Sequence, residues 1–359
     1  MAAITARFGK FEADKHTGVA IIGLICGVIT VLLIAQAIQD PSEFFQAFMK
    51  AMGLGSVYAI VALGFVLIFK ATQVVNFAQG ALAMIGALFV SFAVADEHIP
   101  LTTIPNPLMQ IGGPYWFRWF LSVLLALAFA ALLGLVLERL AIRPMIGEPL
   151  FSVAVITLGL EIFLRVLAND TVKINFRSLE VPWGTDGFTV GGAFVNWSYI
   201  AAMITAAVCF TAVFFFYRSR MGVAMRAVAY DQEAAMAQGI NVGRVFAIAW
   251  AAGAVLAAIG GIFATQPPIA QTGAVQVETQ FIAFRTLPAV ILGGLDSVQG
   301  ALIGGLIIGM AEIMAGQYLS GYTDVLGAGY PLIVPYVVMI IGLLVRPYGL
   351  FGTPEIRRV

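Results

Sequence analysis

Residues 217–244 read YRSRMGVAMRAVAYDQEAAMAQGINVGR, a polar stretch set between two long apolar runs, 194–216 and 245–264. A connector between membrane spans is normally short and featureless. This one reads instead as a folded helix–turn–helix carrying its own charges and small residues. Arg218, Arg220, Arg226 and Arg244 lie within it, and Lys and Arg collect on the cytoplasmic side of membrane chains. The stretch therefore fixes which way the flanking runs cross the bilayer, and it is shaped to meet a soluble partner.

The remainder of the chain is membrane-like. Of its 359 residues, 61% are hydrophobic and 11% charged, against about 25% charged in soluble domains. Mean hydropathy is +0.97. A run of about 20 apolar residues crosses a ~30 Å hydrocarbon core. Candidate spans fall at 18–38, 53–69, 74–95, 117–137, 150–168, 194–216, 245–264, 281–295, 298–319 and 331–345. This predicts an all-α, polytopic bundle of about ten transmembrane helices forming one permease-like domain over residues 1–359. The eighth and tenth runs are short, which predicts tilted, broken or re-entrant segments. An amphipathic lead-in before the second, with Phe44, Phe45, Phe48 and Met49, is expected at the interface.

With the N-terminus inside, ten crossings place Arg7, Lys10, Lys15, Lys70, Arg139, Arg143, Arg218, Arg220, Arg226, Arg244, Arg346, Arg357 and Arg358 in the cytoplasm. The segments 265–280 and 320–330, on the opposite side, hold no Lys or Arg. An odd number of spans would push one basic cluster to the wrong face, so both termini are expected inside. Ala35-Gln36-Ala37 after an apolar run resembles a cleavage site, but that run is longer than a leader's apolar region and is read as the first span. The external loops are 96–116, stiffened by Pro100, Pro105, Pro107 and Pro114, and 169–193. The first is read as a docking surface or a simple lid.

Polar side chains within spans are costly and tend to face a partner or a cavity. Asn76 and Gln79 open the third span in VVNFAQG, as path lining or as helix-end hydrogen-bonding groups. Glu161 and Arg165, four apart, can pair on one helix face. Glu312 lies in the ninth span without a local partner, as interhelical glue or path lining, and Arg285 is within sequence reach of it. Gly300-x-x-x-Gly304 and Gly305-x-x-x-Gly309 have the small-xxx-small spacing of closely packed membrane helices. Gly293-Gly294 before Asp296-Ser297 predicts a broken helix or tight hairpin between spans eight and nine.

Other function classes find no support. Net charge is zero, without the basic face of a nucleic-acid binder. Cys26 and Cys209 sit in apolar runs, and His16 and His98 lie outside the spans, so no metal site or cofactor is expected. No G-x-x-x-x-G-K-[ST] is present, hence no P-loop of its own, and no nucleophile–base constellation appears. Intramembrane carboxylates are too few for an ion-coupled carrier. A transporter of this kind is a facilitator or takes its energy from a partner.

The blocks GLGSVYAIVALGFVLIFKATQVVNFAQGALAMIGA (53–87), ERLAIRPM (138–145), RSRMGVAMRAVAYDQEAAMAQGINV (218–242) and AFRTLPAVILGGLDSVQGALIGGLIIGMAE (283–312) together resemble the LivH-type membrane permease of branched-chain amino acid ABC importers. Urea, short-chain amide and sugar permeases belong to the same superfamily. The resemblance implies a non-catalytic, multi-pass subunit of the bacterial inner membrane. Its implied partners are a second homologous permease, two cytoplasmic P-loop ATPases, a periplasmic solute-binding protein and membrane lipid. The loop around Arg226–Gly239 would be the coupling region, with Arg226, Asp231 and Glu233 as registering charges and small residues such as Ala235 and Gly239 for close docking. Asn76, Gln79 and Glu312 are the candidate polar lining. Two departures stand out: Gln79 and Ala81 occupy the His and Glu positions of the common N-F-A-H-G-E pattern, and Glu161 replaces a small or neutral residue. Branched-chain amino acids are the default solute; urea, amides or small carboxylates, and a stand-alone facilitator, are the alternatives.

Overall fold

The computed structural model describes residues 34–98, 104–171, 177–267, 269 and 273–353. The expected first span therefore falls mostly outside the described residues, as do Cys26, His16, Arg357 and Arg358. Within them the chain is a helical bundle. Its principal helices are α1 (Pro41–Thr72), α2 (Gln79–Ala95), α3 (Tyr115–Leu137), α4 (Leu150–Val166), α5 (Trp197–Arg218) and α6 (Arg220–Tyr230). They continue with α7 (Gln232–Ala237), α8 (Val242–Ala264), α9 (Ile282–Gly293), α10 (Val298–Tyr318) and α11 (Tyr330–Val345).

The starts of these helices follow from local chemistry. The side chains of Asp40, Asn196, Asn241 and Ser297 each accept a backbone N–H of the first turn of α1, α5, α8 and α10, satisfying donors that a helix leaves open. Pro41 occupies the first turn of α1, where its missing N–H costs nothing.

Among the described residues six helical segments are long and apolar enough to cross a membrane, and seven if the bent pair Ser320–Leu326 and Tyr330–Val345 is one span. That pair bends by 83°, so the tenth apolar run is preceded by a sharp break. The eighth run is the 12-residue α9, which carries Pro288 in its interior. Two expected boundaries are corrected. The second span's helix begins at Pro41 rather than at residue 53, and the lead-in with Phe44, Phe45, Phe48 and Met49 belongs to the unbroken 32-residue α1, about 48 Å long. The third span begins at Gln79 rather than at residue 74, because residues 73–78 leave the helix: Gln73 is left-handed with φ 57° and its N–H returns to the Phe69 carbonyl at 2.7 Å.

Burial sorts the helices into an inner and an outer set. The most apolar stretch of α1 is 83% buried and that of α8 67%, against 17% for α4 and 22% for α5. Inner helices approach through small residues. The two glycine steps on α10 serve different neighbours: a Cβ on Gly300 or Gly304 would lie 2.2 Å from the Gly293 or Ala289 carbonyl of α9, whereas one on Gly305 or Gly309 would lie within about 2.5 Å of α1 backbone at Ala59 or Gly55. One residue of offset turns a helix about 100°, so adjacent glycines open adjacent faces. Van der Waals contact at this range substitutes for a hydrophobic drive that lipid does not provide.

The opposite end of the bundle from residues 217–244 carries short strands: β1 (Arg177–Ser178), β2 (Gly187–Val190), β3 (Ala193–Asn196) and β4 (Ala274–Val275). The hairpin β2–β3 turns on Gly191 and Gly192, both at positive φ, as a two-residue hairpin requires. Arg177 forms a bidentate pair with Asp96 at 2.7–3.4 Å and lies 3.8 Å over the Phe92 ring. Trp119 donates to the Leu179 carbonyl, and Trp183 to Ser198. The described part of loop 169–193 is thus a tied-down platform.

Candidate transport path and coupling module

The non-helical segment 73–78 lies inside the bundle and carries the first group of candidate residues. Asn76 and Gln79 are fully buried. Asn76 accepts the Ala78 N–H at 3.0 Å through its side-chain oxygen and donates to the Gln79 side-chain oxygen at 3.1 Å. Gln79 then donates to the Gly253 carbonyl of α8 at 3.2 Å. Thr157 of α4 accepts the Phe77 N–H at 3.2 Å. Backbone outside a helix is tolerated at membrane depth only where its polar groups find partners, and this knot supplies them. The Gln79 amide lies between two helices that are glycine at the contact: a Cβ on Gly64 would sit 2.2 Å from the Gln79 side-chain nitrogen. In this conformation the two amides close on each other and on α8.

Glu312 is likewise buried, and its partner is distant in sequence: the Tyr58 hydroxyl donates to its carboxylate at 2.6 Å, joining α1 to α10. Arg285 is exposed and is not the hydrogen-bond partner. Glu161 and Arg165 pair at 3.2 Å on α4. In the segment 265–280, Gln266 and Gln280 are buried with side-chain amide atoms that find no partner among the described residues. A buried, unmet polar atom costs about 1–3 kcal/mol.

Residues 217–244 fold as the expected pair of short helices, α6 and α7, but several side chains do other work than surface registration. Arg226 turns back to donate to the Tyr217 carbonyl at 2.7 Å. Asp231 caps α7 by accepting the Ala234 N–H at 2.9 Å. Ala235 is buried in the core. Gly239, at φ 81°, ends α7: its N–H reaches the Met236 carbonyl and the Ile240 N–H the Ala235 carbonyl, a left-handed helix stop that glycine adopts without strain. Glu233 remains exposed. Arg226, Asp231 and Gly239 are exposed as well, and they share the outward surface with apolar side chains. Val223 and Tyr230, seven apart on one face of α6, and Met236 on α7 are 54%, 92% and 48% exposed, while Met225 and Val228 on the other face are buried.

A second overlooked element braces this end. Glu138, almost fully buried, holds Arg143 by two hydrogen bonds of 3.0 and 3.1 Å, and Arg143 also donates to the Gly243 carbonyl at 3.2 Å. The brace lies inside the ERLAIRPM block, whose Glu–Arg spacing of five is met by a π-helical turn over Glu138–Ile142.

Comparison with known proteins places these features in company. The family described as "Branched-chain amino acid transport system / permease component" matches residues 47–343. The high-affinity branched-chain amino acid transport system permease protein LivH of Escherichia coli (strain K12) is 31% identical over 88% of this chain and 98% of its own length. LivH of Salmonella typhimurium is 30% identical with the same coverage. BraD, the corresponding permease protein of Pseudomonas aeruginosa, is 29% identical over 88% of this chain and 98% of its own.

Proposed function

The chain belongs to the family of branched-chain amino acid transport system permease components, and from that premise we propose that it forms the solute path of an ATP-driven importer for branched-chain amino acids. It sits in the bacterial inner membrane with about ten spans and both termini in the cytoplasm, and a second, related permease completes the path. A periplasmic binding protein delivers solute to the platform formed by loops 96–116 and 169–193. Two P-loop ATPases act from the cytoplasm. The permease forms and breaks no covalent bond.

The observation that carries the reading is the α6–α7 module, which shows apolar side chains outward at Val223, Tyr230 and Met236 while being capped and tied to α5 by its own polar groups. A rigid pair of short helices with an apolar tip suits a groove on a moving soluble subunit, and Glu233 adds a charge at its rim. Closure of the ATPases pulls the module, and the pull passes through Arg226 to α5 and through Arg143 to the junction of α3 and α8. The knot of Asn76, Gln79 and Gly253 is the joint that opens as α2 and α8 move apart. Its amides, with Gln266, Gln280 and Glu312, then offer hydrogen bonds to an amino acid in transit.

The test is leucine uptake by the complete importer in proteoliposomes. Val223→Arg, Tyr230→Ala and Gly239→Trp lie at the surface and should abolish ATP-driven uptake with insertion intact. Unchanged uptake in all three would overturn the coupling role.

A further inference from the structure

We propose that the ends of α1 and α5 form a binding site for the phosphate headgroup of an anionic phospholipid of the cytoplasmic leaflet. The proposal rests on the reading above only in taking the end of the bundle with residues 217–244 as cytoplasmic. A cavity of about 300 Å³ lies there, and its walls include Lys70, Arg218, Arg226 and Asp296. Three cations thus face one carboxylate, and that carboxylate is engaged: Asp296 accepts the N–H and the hydroxyl of Thr353. Among the described residues none of the three cations forms an ion pair. Each is held by something other than an anion. The Lys70 ammonium lies 5.1 Å over the Tyr217 ring, the Arg218 guanidinium 4.3 Å over Phe214, and Arg226 donates to the Tyr217 carbonyl. Aromatic faces orient cations without neutralising them, so the cavity keeps a charge that suits a phosphate oxygen cluster.

Position selects a lipid over a free anion. Lys70 is in the last turn of α1 and Arg218 closes α5, the depth at which basic side chains meet headgroups. On α5 the exposed apolar residues Ile204, Val208 and Phe215 share one face leading to Arg218, a track for an acyl chain that inorganic phosphate would not use. Bound there, the lipid would tie α1 and α5 to Arg226 of the module.

The experiment is native mass spectrometry of the assembled importer taken from nanodiscs containing equal parts phosphatidylglycerol and phosphatidylethanolamine. The complex should retain phosphatidylglycerol selectively. Each basic side chain near such a headgroup is worth about a fivefold preference, so Lys70→Gln with Arg218→Gln should lower retention about thirtyfold. Lys70→Arg with Arg218→Lys should keep it, which separates lost charge from lost fold. Equal retention by the wild type and the Gln pair overturns the site. Displacement of the lipid by inorganic phosphate alone assigns the cavity to free phosphate and overturns the lipid. Retention by the permease stripped of its ATPases but not by the assembled importer assigns the cavity to an acidic side chain of the partner and overturns the lipid. Retention is read without transport, so failure of the importer reading would leave this result standing.

Discussion

Replacing Gly64 with Ala tests the buried knot quantitatively. The new Cβ would lie 2.2 Å from the Gln79 side-chain nitrogen, closer than any real contact, and the amide must move. Two hydrogen bonds then go, from Gln79 to the Gly253 carbonyl and from Asn76 to Gln79. Side-chain hydrogen bonds within membranes are worth about 0.6 kcal/mol each, and a fully buried amide left unmet costs about 1–3 kcal/mol more. Gly64→Ala should therefore cost about 2–4 kcal/mol. Other neighbours of the added methyl, the Gly253 carbonyl at 3.1 Å and the Leu256 Cβ at 3.3 Å, need only small shifts. In a Gln79→Ala background, Gly64→Ala should consequently cost under about 1 kcal/mol. Reversible SDS unfolding in mixed micelles reads all four corners of this cycle. Equal cost of Gly64→Ala in both backgrounds would refute the claim that the glycine exists to house the amide.

Arg143→Ala strands the buried Glu138 carboxylate and should cost up to about 3–5 kcal/mol in the same unfolding assay, whereas Glu138→Gln with Arg143→Met should cost much less. Tyr58→Phe removes the hydroxyl that Glu312 accepts and should destabilise by about 1–3 kcal/mol; a following Glu312→Met should recover most of it. Gly309→Leu places a side chain 2.4 Å from the Gly55 backbone and should cost about 3 kcal/mol, at the upper end for overpacking. Gly159→Leu, with open space around its Cβ, should be nearly silent in thermal melts of the purified chain.

What was legible in the sequence was what depends on local chemistry or on composition. Gly293-Gly294 before Asp296-Ser297 marks the break between α9 and α10, and Gly300 to Gly309 mark close packing. What was hidden depends on contacts between distant residues. Glu312 has no local partner because its donor, Tyr58, is on α1. For Gln79 the sequence leaves path lining and helix-end hydrogen bonding open, and only the fold brings Gly64 and Gly253 around it. The module's exposed charges are visible in the sequence, but the hydrogen bonds by which Arg226 and Asp231 also serve the fold are not; the apolar Val223 and Tyr230, unremarkable in so hydrophobic a chain, face outward. The β2–β3 hairpin was missed although Gly191-Gly192 between FTV and AFV carries the signal, because a chain of apolar helices directs attention away from strands.

The central claim is that partners drive this permease through the α6–α7 module. Its most direct test is affinity purification of the tagged chain from its native membranes, with mass spectrometry of the proteins that accompany it, for the wild type and for Val223→Arg with Tyr230→Ala. The account predicts a P-loop ATPase and a second permease with the wild type, and loss of the ATPase alone from the variant. A chain that purifies by itself and moves leucine into liposomes without ATP would contradict it.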